Sequence, residues 1–354
     1  MPDRACQPAM QGGTSMSESG RFTINRRALG KLAIGAAVSA ALPGSAAIAQ
    51  AGARTIRLAH HVTTQSEQHA AAENFAKKVA EYSGGSLRVQ ILPAAQMGGQ
   101  REIIESVSLG TLEMGYGESG LYANYLPSFG IIALPYLYRD FDHWQKVVDG
   151  EIGQSLARDL EQRANIKIVN WMTAGYRNTF LRTKPVTKPS DFRGVKIRLP
   201  EAPVFVRTFA TLGAQPTPIP APEMYTALQT GVVDAMEGSA EVGYTFKIFE
   251  VTKFLSKTRH ILLDGSFAIN SGFFNSLNKT QQDAIMRAAQ EAAATQRTEH
   301  FERDRQWLDK LAAAGTLQIN EVDLPAFAQA LAGLQNEFAA NARATDLLEK
   351  IRKL

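Results

Sequence analysis

Cysteine is almost absent from this sequence: the one cysteine, Cys6, lies near the start of a chain of 354 residues. The rest of the chain therefore has no disulfide, no thiol nucleophile and no zinc site built on cysteine. None of the six histidines belongs to an H-E-x-x-H motif, and G-x-S-x-G and P-loop motifs are also missing. These absences argue against a metalloprotease, a serine hydrolase or a nucleoside triphosphatase, and we expect no catalytic residue, metal or cofactor.

An excess of either charge is also missing from most of the chain. Of the 38 Lys and Arg, five lie in residues 1–49, as do two of the 34 Asp and Glu, so the remaining positive and negative charges nearly balance. A nearly neutral chain gives no support for a nucleic acid or an anionic membrane as partner. We therefore expect no nucleic-acid binding.

Residues 1–49 are predicted to be a signal peptide. A positive region around Arg26-Arg27 precedes an apolar run at 32–42, which is too short to span a membrane, and small residues follow at 47–49. The arginine pair resembles a twin-arginine signal, with an ordinary Sec signal as the alternative, and Met16 is a second possible start. Either signal predicts a periplasmic protein.

Strand and helix signals alternate along the rest of the chain. The predicted strands and extended segments are residues 56–61, 87–92, 112–116, 166–171, 177–183, 195–199, 232–236 and 261–270. The predicted helices are residues 66–83, 100–109, 142–164, 203–212 and 222–230. This order predicts an α/β fold with a mostly parallel sheet, and about 300 residues suggest two lobes.

One predicted helix is much longer than the others. Residues 277–314 contain neither Gly nor Pro, and Asn278 followed by Gln281 is typical of a capping box. A helix over 280–314 would be about 50 Å long at 1.5 Å per residue. That length exceeds the diameter of a small domain, so we expect the helix to run along both lobes.

The segment Gly115 to Gly120 matches G-x-G-x-x-G, and Asp140 lies twenty residues further on. This pattern suggests an alternative function, that of a twin-arginine-exported oxidoreductase using NAD(P). A dinucleotide site requires the glycines to open a helix. Residues 121–135 instead contain two prolines and no helical periodicity, so the pattern disfavours that alternative.

The stretch "RGVKIRLP", residues 193–200, predicts a short strand between a glycine and a proline. Alternation would place Val195, Ile197 and Leu199 on one face, and Lys196 and Arg198 on the other. The polar face could be solvated. Alternatively, Arg198 could face a cleft, where its planar fork would match a carboxylate ligand.

Several segments, in order and at matching spacings, resemble the extracytoplasmic solute-binding subunits of TRAP transporters, a family that includes C4-dicarboxylate and sialic-acid binders. They are "AAAENFAKKVAEYSGGSLRVQILPAAQMG" (70–98), "LEMGYGESG" (112–120), "GYRNTFLRTKPVTKPSDFRGVKIRLP" (175–200) and "LGAQPTPIPAPEMYTALQTGVVDAMEG" (212–238). The resemblance covers nearly all of the chain after the predicted signal.

The resemblance implies a set of ligand-binding residues. These are Arg198, which would clamp the carboxylate, Arg177, Glu118, His61, Glu237 and Gly238. From the residues alone, Glu118 could instead cap a turn and His61 could lie at the surface. Gly238 replaces the asparagine usual in the family, and Ala221 stands where some members have an aromatic residue. Two common contacts are thereby lost, so the ligand is not identified.

The resemblance also implies a fold like that of periplasmic binding proteins, with two α/β lobes, a hinge and a long domain-spanning helix. Lobe I would comprise residues 50–174 plus 264–303, and lobe II residues 175–263 plus 304–354. A small organic acid would bind between them and be delivered to the membrane subunits of a TRAP permease. The binding protein would not be an enzyme. A receptor for a periplasmic sensor is the alternative.

Overall fold

The computed structural model describes residues 52–354. The predicted signal peptide and the choice between Met1 and Met16 lie outside this range. No helix among the described residues combines the length and apolar character needed to cross a bilayer.

The described part of the chain contains ten strands and twelve α-helices. The strands are β1 Arg54–Ala59, β2 Leu87–Leu92, β3 Met114–Glu118, β4 Ile166–Ile168, β5 Met172–Leu181, β6 Lys196–Leu199, β7 Gln215–Pro218, β8 Ala235–Gly238, β9 Phe254–Asn270 and β10 Gln318–Asn320. The helices are α1 Glu67–Tyr82, α2 Gln100–Leu109, α3 Ser119–Tyr122, α4 Phe141–Asp149, α5 Glu151–Ala164, α6 Pro203–Thr211, α7 Met224–Thr230, α8 Ala240–Thr245, α9 Ser271–Asn275, α10 Lys279–Ala313, α11 Leu324–Asn341 and α12 Thr345–Lys353.

All ten strands belong to one sheet, in the order β2-β1-β3-β9-β5-β8-β6-β7, with β4 and β10 also paired to β9. The pairings among β1, β2 and β3 are parallel, as are those among β6, β7 and β8. We call these strand groups the β1 half and the β6 half. The α/β fold is confirmed, but the sheet is mixed rather than mostly parallel, because β9 runs antiparallel to β3 and β5, and β5 antiparallel to β8.

The two halves are joined through β5 and β9. The register of this pair shifts between Thr173 and Gly175, and Gly175 has a positive φ of 80°. A side chain at Gly175 would also approach the His300 ring to 2.9 Å, so both the backbone and the packing favour glycine here. Gly175 pairs with Leu263. The predicted lobe boundaries at residues 174 and 263 therefore lie side by side, although the division into two lobes stays a prediction.

The long predicted helix is confirmed as α10, which has 35 residues. Asn278 caps it, with the reciprocal Gln281 contact that completes a capping box. Ile285 packs in the apolar core around β1 and α1, whereas Trp307 and Leu311 pack in the core around β8 and α7. The helix thus contributes to the cores of both sheet halves.

Candidate functional site

Strand β6 buries one charged side chain among apolar neighbours. Lys196 is exposed, whereas Arg198 is only 4% exposed and lies between the fully buried Ile197 and Leu199. The Arg198 Nε donates a hydrogen bond to the carbonyl oxygen of Ile219 at 2.7 Å. Its two terminal nitrogens make no hydrogen bond with the described residues. Burial, with some help from nearby Arg177, lowers the pKa of Arg198 to about 10 against the raising effect of Glu237, so the guanidinium is still charged at neutral pH.

The guanidinium of the second predicted arginine, Arg177, is already paired with a carboxylate. Its Nη2 donates to Glu237 Oε1 at 2.6 Å, and its Nε donates to Oε2 of the same carboxylate. His260 Nε2 lies 3.2 Å from Glu237 Oε2. Burial opposes ionisation of Glu237, but the charge and hydrogen bonds of Arg177 outweigh it and lower the pKa to about 2. Arg177 and Glu237 therefore form a buried ion pair.

Opposite these arginines lie three side chains from the β1 half. His61 follows the end of β1, Glu118 is the last residue of β3, and Gln100 begins α2. The carboxyl ends of parallel strands commonly form binding clefts in α/β folds. His61 stacks on Tyr116, with ring centroids 6.0 Å apart. His61 Nδ1 and Gln100 Nε2 are buried without a hydrogen-bond partner in the described structure.

Burial shifts the pKa of two side chains in this wall. Burial, assisted by His60 and the two arginines, lowers the pKa of His61 to about 3, so its ring is neutral. Burial raises the pKa of Glu118, and the charge of Arg177 partly offsets this effect.

These groups surround a cavity of about 40 Å³, which we call the cleft cavity. Four of the six predicted residues line it, namely His61, Glu118, Arg177 and Arg198. Glu237 and Gly238 are not among its lining residues. A side chain at Gly238 would approach Met236 Cε to 2.9 Å and Val242 Cγ1 to 3.2 Å, so an asparagine would not fit there without movement of its neighbours. Direct ligand contact by Glu237 and Gly238 stays a prediction.

Gln100 also lines the cleft cavity but was missed by the sequence analysis. Residues 100–109 were predicted as a helix, and the helix follows the loop after β2. Because β2 is parallel to β1, its carboxyl end lies at the same edge of the sheet as His61. The position of Gln100 at the start of this helix was therefore the sequence signal that could have identified it.

The glycines of the G-x-G-x-x-G segment serve packing. Gly115 and Gly117 lie within β3, and the helix that follows has four residues. A side chain at Gly115 would approach Ile103 Cγ2 to 2.6 Å, and one at Gly117 would approach the Tyr122 hydroxyl to 2.4 Å. The glycines thus allow α2 and α3 to pack closely on the strand.

A much larger cavity, of about 690 Å³, lies between α4, α5 and α10, and we call it the helix cavity. The main cation in its wall, Arg297, donates to both carboxylate oxygens of Asp149 at 2.7 and 2.9 Å, and to the Trp171 carbonyl at 2.7 Å. Asn170 accepts from the Phe267 amide and donates to the Ala289 carbonyl. Arg297 and Asn170 therefore have their hydrogen-bonding groups paired.

A separate buried cluster links α1, α8 and α10. The Glu67 amide donates to Glu241 Oε1 at 2.5 Å, while His300 Nδ1 and Gln296 Nε2 contact Glu67 Oε2 at 2.9 and 3.2 Å. Burial and the charge of Glu67 raise the pKa of Glu241 to about 8. No group of three or more His, Cys, Asp or Glu within residues 52–354 is arranged to hold a metal ion.

Comparison with known proteins identifies relatives over most of the chain. The family model for bacterial extracellular solute-binding proteins, family 7 (DctP), matches residues 58–341. The 2,3-diketo-L-gulonate-binding periplasmic protein of Escherichia coli is 33% identical over 279 residues, which cover 79% of this chain and 85% of that protein.

Two solved structures have the same fold. A TRAP periplasmic solute-binding protein from Roseobacter denitrificans with bound β-D-glucuronate is 31% identical, with a TM-score of 0.81 over 84% of this chain and 99% of that one. A TRAP protein from Sulfurospirillum deleyianum with bound succinate is 28% identical, with a TM-score of 0.79 over 84% and 98%. The chain therefore belongs to family 7 of the bacterial extracellular solute-binding proteins, the binding proteins of TRAP transporters.

Proposed function

We propose that the protein binds a small organic acid in the cleft cavity and that Arg198 holds the carboxylate of the ligand. The observation that carries this proposal is the end of the Arg198 guanidinium, which lines the cavity and makes no hydrogen bond there, although the rest of the side chain is buried. A guanidinium presents two parallel N–H groups that match the two oxygens of a carboxylate. A buried charge without a partner is costly, and a bound carboxylate would remove that cost.

The relatives support an acidic ligand. The Roseobacter and Sulfurospirillum structures contain glucuronate and succinate, and the Escherichia protein is named for 2,3-diketo-L-gulonate. All three compounds carry a carboxylate, although they differ in length and in the number of hydroxyl groups. Arg198 would recognise the group that they share.

We assign Arg177 and Glu237 a supporting role. Because Glu237 takes the Nε and Nη2 donors of Arg177, we expect Arg177 to contribute positive potential and a rigid wall more than a second bidentate clamp. Glu237 in turn fixes the Arg177 side chain. Neither residue needs to exchange partners when a ligand binds.

Binding requires the cleft to open. Ligand pockets usually have volumes of roughly 300–1,000 Å³, whereas the cleft cavity measures about 40 Å³. We propose that the two lobes separate to admit the ligand and close over it, hinging near Gly175, Leu263 and residue 303. The closed form would be favoured because it makes ligand contacts that the open form lacks.

In the cell, we propose that the exported protein carries its ligand through the periplasm to the membrane subunits of a TRAP permease. The protein would undergo no chemical step, so ligand and product would be the same compound.

A thermal-shift screen tests the proposal. The screen would include hydroxy acids, 2-oxo acids, sugar acids and dicarboxylates, each beside an uncharged amide or alcohol analogue. A ligand at 100 times its Kd stabilises the folded protein by about 2.7 kcal/mol, so at least one acid should raise Tm by several degrees, whereas its neutral analogue should not. The proposal is wrong if no acid raises Tm or if the neutral analogues act equally well.

A further inference from the structure

The two walls of the cleft cavity differ in chemistry. One wall combines Arg198 of β6 and Arg177 of β5 with apolar side chains, among them Met224 and Val242. The wall from the β1 half carries His61, Gln100 and Glu118. A ligand held by its carboxylate at Arg198 would extend between an apolar surface and a polar one.

The polar wall has unused hydrogen-bonding capacity. His61 Nδ1 and Gln100 Nε2 are buried and make no hydrogen bond of ordinary geometry with the described residues. The carboxyl group of Glu118 lies beside them, and Gln100 is close enough to it to lower its pKa. An amide nitrogen donates, a carboxylate accepts, and a neutral imidazole nitrogen does either according to its tautomer. A hydroxyl group both donates and accepts, so it can pair with every member of this set.

A second carboxylate would fit the same wall poorly. It would lie close to Glu118 in a buried site, where two like charges oppose each other. The Nε and Nη2 donors of Arg177 are already paired with Glu237. The other cation at the cavity is Arg101, which lies 3.6 Å from Glu201 and whose side chain is 59% exposed. Arg101 is therefore at the solvent side rather than on the buried polar wall.

We infer that the ligand is a hydroxy acid with a single carboxylate, and that Gln100, His61 and Glu118 bind its hydroxyl groups. This inference rests on the proposed function and narrows it. Gln100 and Glu118 act as specificity residues, because they distinguish acids that all share the Arg198 contact. The apolar wall would pack against the C–H face of the same ligand.

Calorimetry with acids of matched chain length tests the inference. One series compares D-erythronate, succinate and butyrate, and a second compares D-gluconate, adipate and hexanoate. The hydroxy acid of at least one series should bind at least about 30-fold more tightly than both other members, because a buried polar site rejects a ligand that leaves its groups unpaired.

Two variants locate the discrimination. Gln100→Leu should weaken hydroxy-acid binding about 10-fold and leave the unsubstituted acid unchanged. Glu118→Gln should improve the dicarboxylate relative to the hydroxy acid. Gln145→Leu, in the wall of the helix cavity, is the matched control and should change neither. Thermal melts of each variant would establish that it folds.

The possible results separate this inference from the proposed function. If no acid binds and the thermal-shift screen is also negative, the proposed function is wrong. If acids bind but succinate or butyrate equals erythronate, and adipate or hexanoate equals gluconate, the specificity inference is wrong while the proposed function stands. The wild-type series needs no variant, so the inference stays testable even if a substitution prevents folding.

Discussion

The helix cavity is much larger than the cleft cavity, but it is the cleft cavity that has buried polar groups without partners. The helix cavity measures about 690 Å³ and the cleft cavity about 40 Å³. In the larger one, Arg297 forms a bidentate pair with Asp149 and the amide of Asn170 is satisfied. In the smaller one, Arg198 has a free guanidinium end and two buried nitrogens lack partners.

The cavity that we propose as the ligand site is therefore the smaller of the two, and the chemistry of its wall rather than its volume distinguishes it. A satisfied wall gains little from a polar ligand, because each new contact must replace an existing one. An unsatisfied buried group gains a hydrogen bond that the protein cannot supply from its own atoms. The predictions below test this difference, from the largest expected effect to the smallest.

Glu237→Gln should lower the free energy of unfolding by about 3–5 kcal/mol, because it leaves the Arg177 charge buried without its counter-ion. Urea denaturation would measure the loss. The matched change in the helix cavity is Asp149→Asn. Because the Asp149 side chain is 46% exposed, that variant should lose no more than about 1 kcal/mol. Equal losses at the two sites would contradict the assignment of a buried pair to the cleft.

Arg198→Lys should weaken ligand binding about 100-fold, or about 2.7 kcal/mol, although the charge is retained, because a lysine cannot form the bidentate contact. Titration calorimetry with the acid identified by the thermal-shift screen would measure the change. Arg297→Lys is the control in the helix cavity and should bind with unchanged affinity. Near-native affinity of Arg198→Lys would show that the clamp lies elsewhere.

Ala221→Leu should weaken binding about 10-fold, because added volume in a cavity this small displaces ligand or forces its neighbours apart. Ala221 lines the cleft cavity, and Ala294 lines the helix cavity. Ala294→Leu should leave the affinity unchanged. A larger loss for the Ala294 variant would reverse the roles of the two cavities.

Glu241→Gln should flatten the pH dependence of stability without changing ligand affinity. The raised pKa of Glu241 means that folding takes up a proton between about pH 4.5, its ordinary value, and about pH 8. This contribution is fully present below pH 4.5 and is lost as the pH rises through 8. The titratable and charged groups around it are Glu67, His300, Arg303 and Asp304.

Denaturation of the wild type and the variant at pH 5, 7 and 9 would measure this effect, and parallel curves would contradict it. The cluster bears on the comparison of the cavities because it also contains a buried oxygen without a partner. Glu67 Oε1 is buried and unpaired, but it belongs to this cluster and lines neither the cleft cavity nor the helix cavity. An unpaired buried atom therefore does not by itself indicate a ligand site.

Local sequence signals predicted much of the fold. The bounds of β2 and α2 match the predicted ranges because a proline follows the strand and glycines flank the helix. Alternation along β6 does not predict the burial of Arg198, because Lys196 on the same face is exposed while Ile197 and Leu199 are both fully buried. The mixed sheet did not follow from such signals, because antiparallel pairing of β9 with β3 and β5 depends on contacts between distant parts of the chain.

The resemblance predicted individual site residues but not the contacts between them. The resemblance placed His61, Glu118, Arg177 and Arg198 in one pocket, and the four side chains do line one cavity. The pairing of Arg177 with Glu237 joins residues sixty positions apart, so no local pattern contains it. That pairing takes up the Nε and Nη2 donors of Arg177, whereas both terminal nitrogens of Arg198 make no protein hydrogen bond, and this difference can be read only from the folded chain.

Strand β9 has a consequence for how the chain is made. Residues 254–270 pair with β3, β4, β5 and β10, and they lie between the β1 half and the rest of the sheet. Until synthesis passes residue 270, β3 and β5 each present an open edge towards the place that β9 will fill. Such edges are templates for association with other chains. A product that ends before residue 254 should therefore aggregate, because the sheet is completed only late in synthesis.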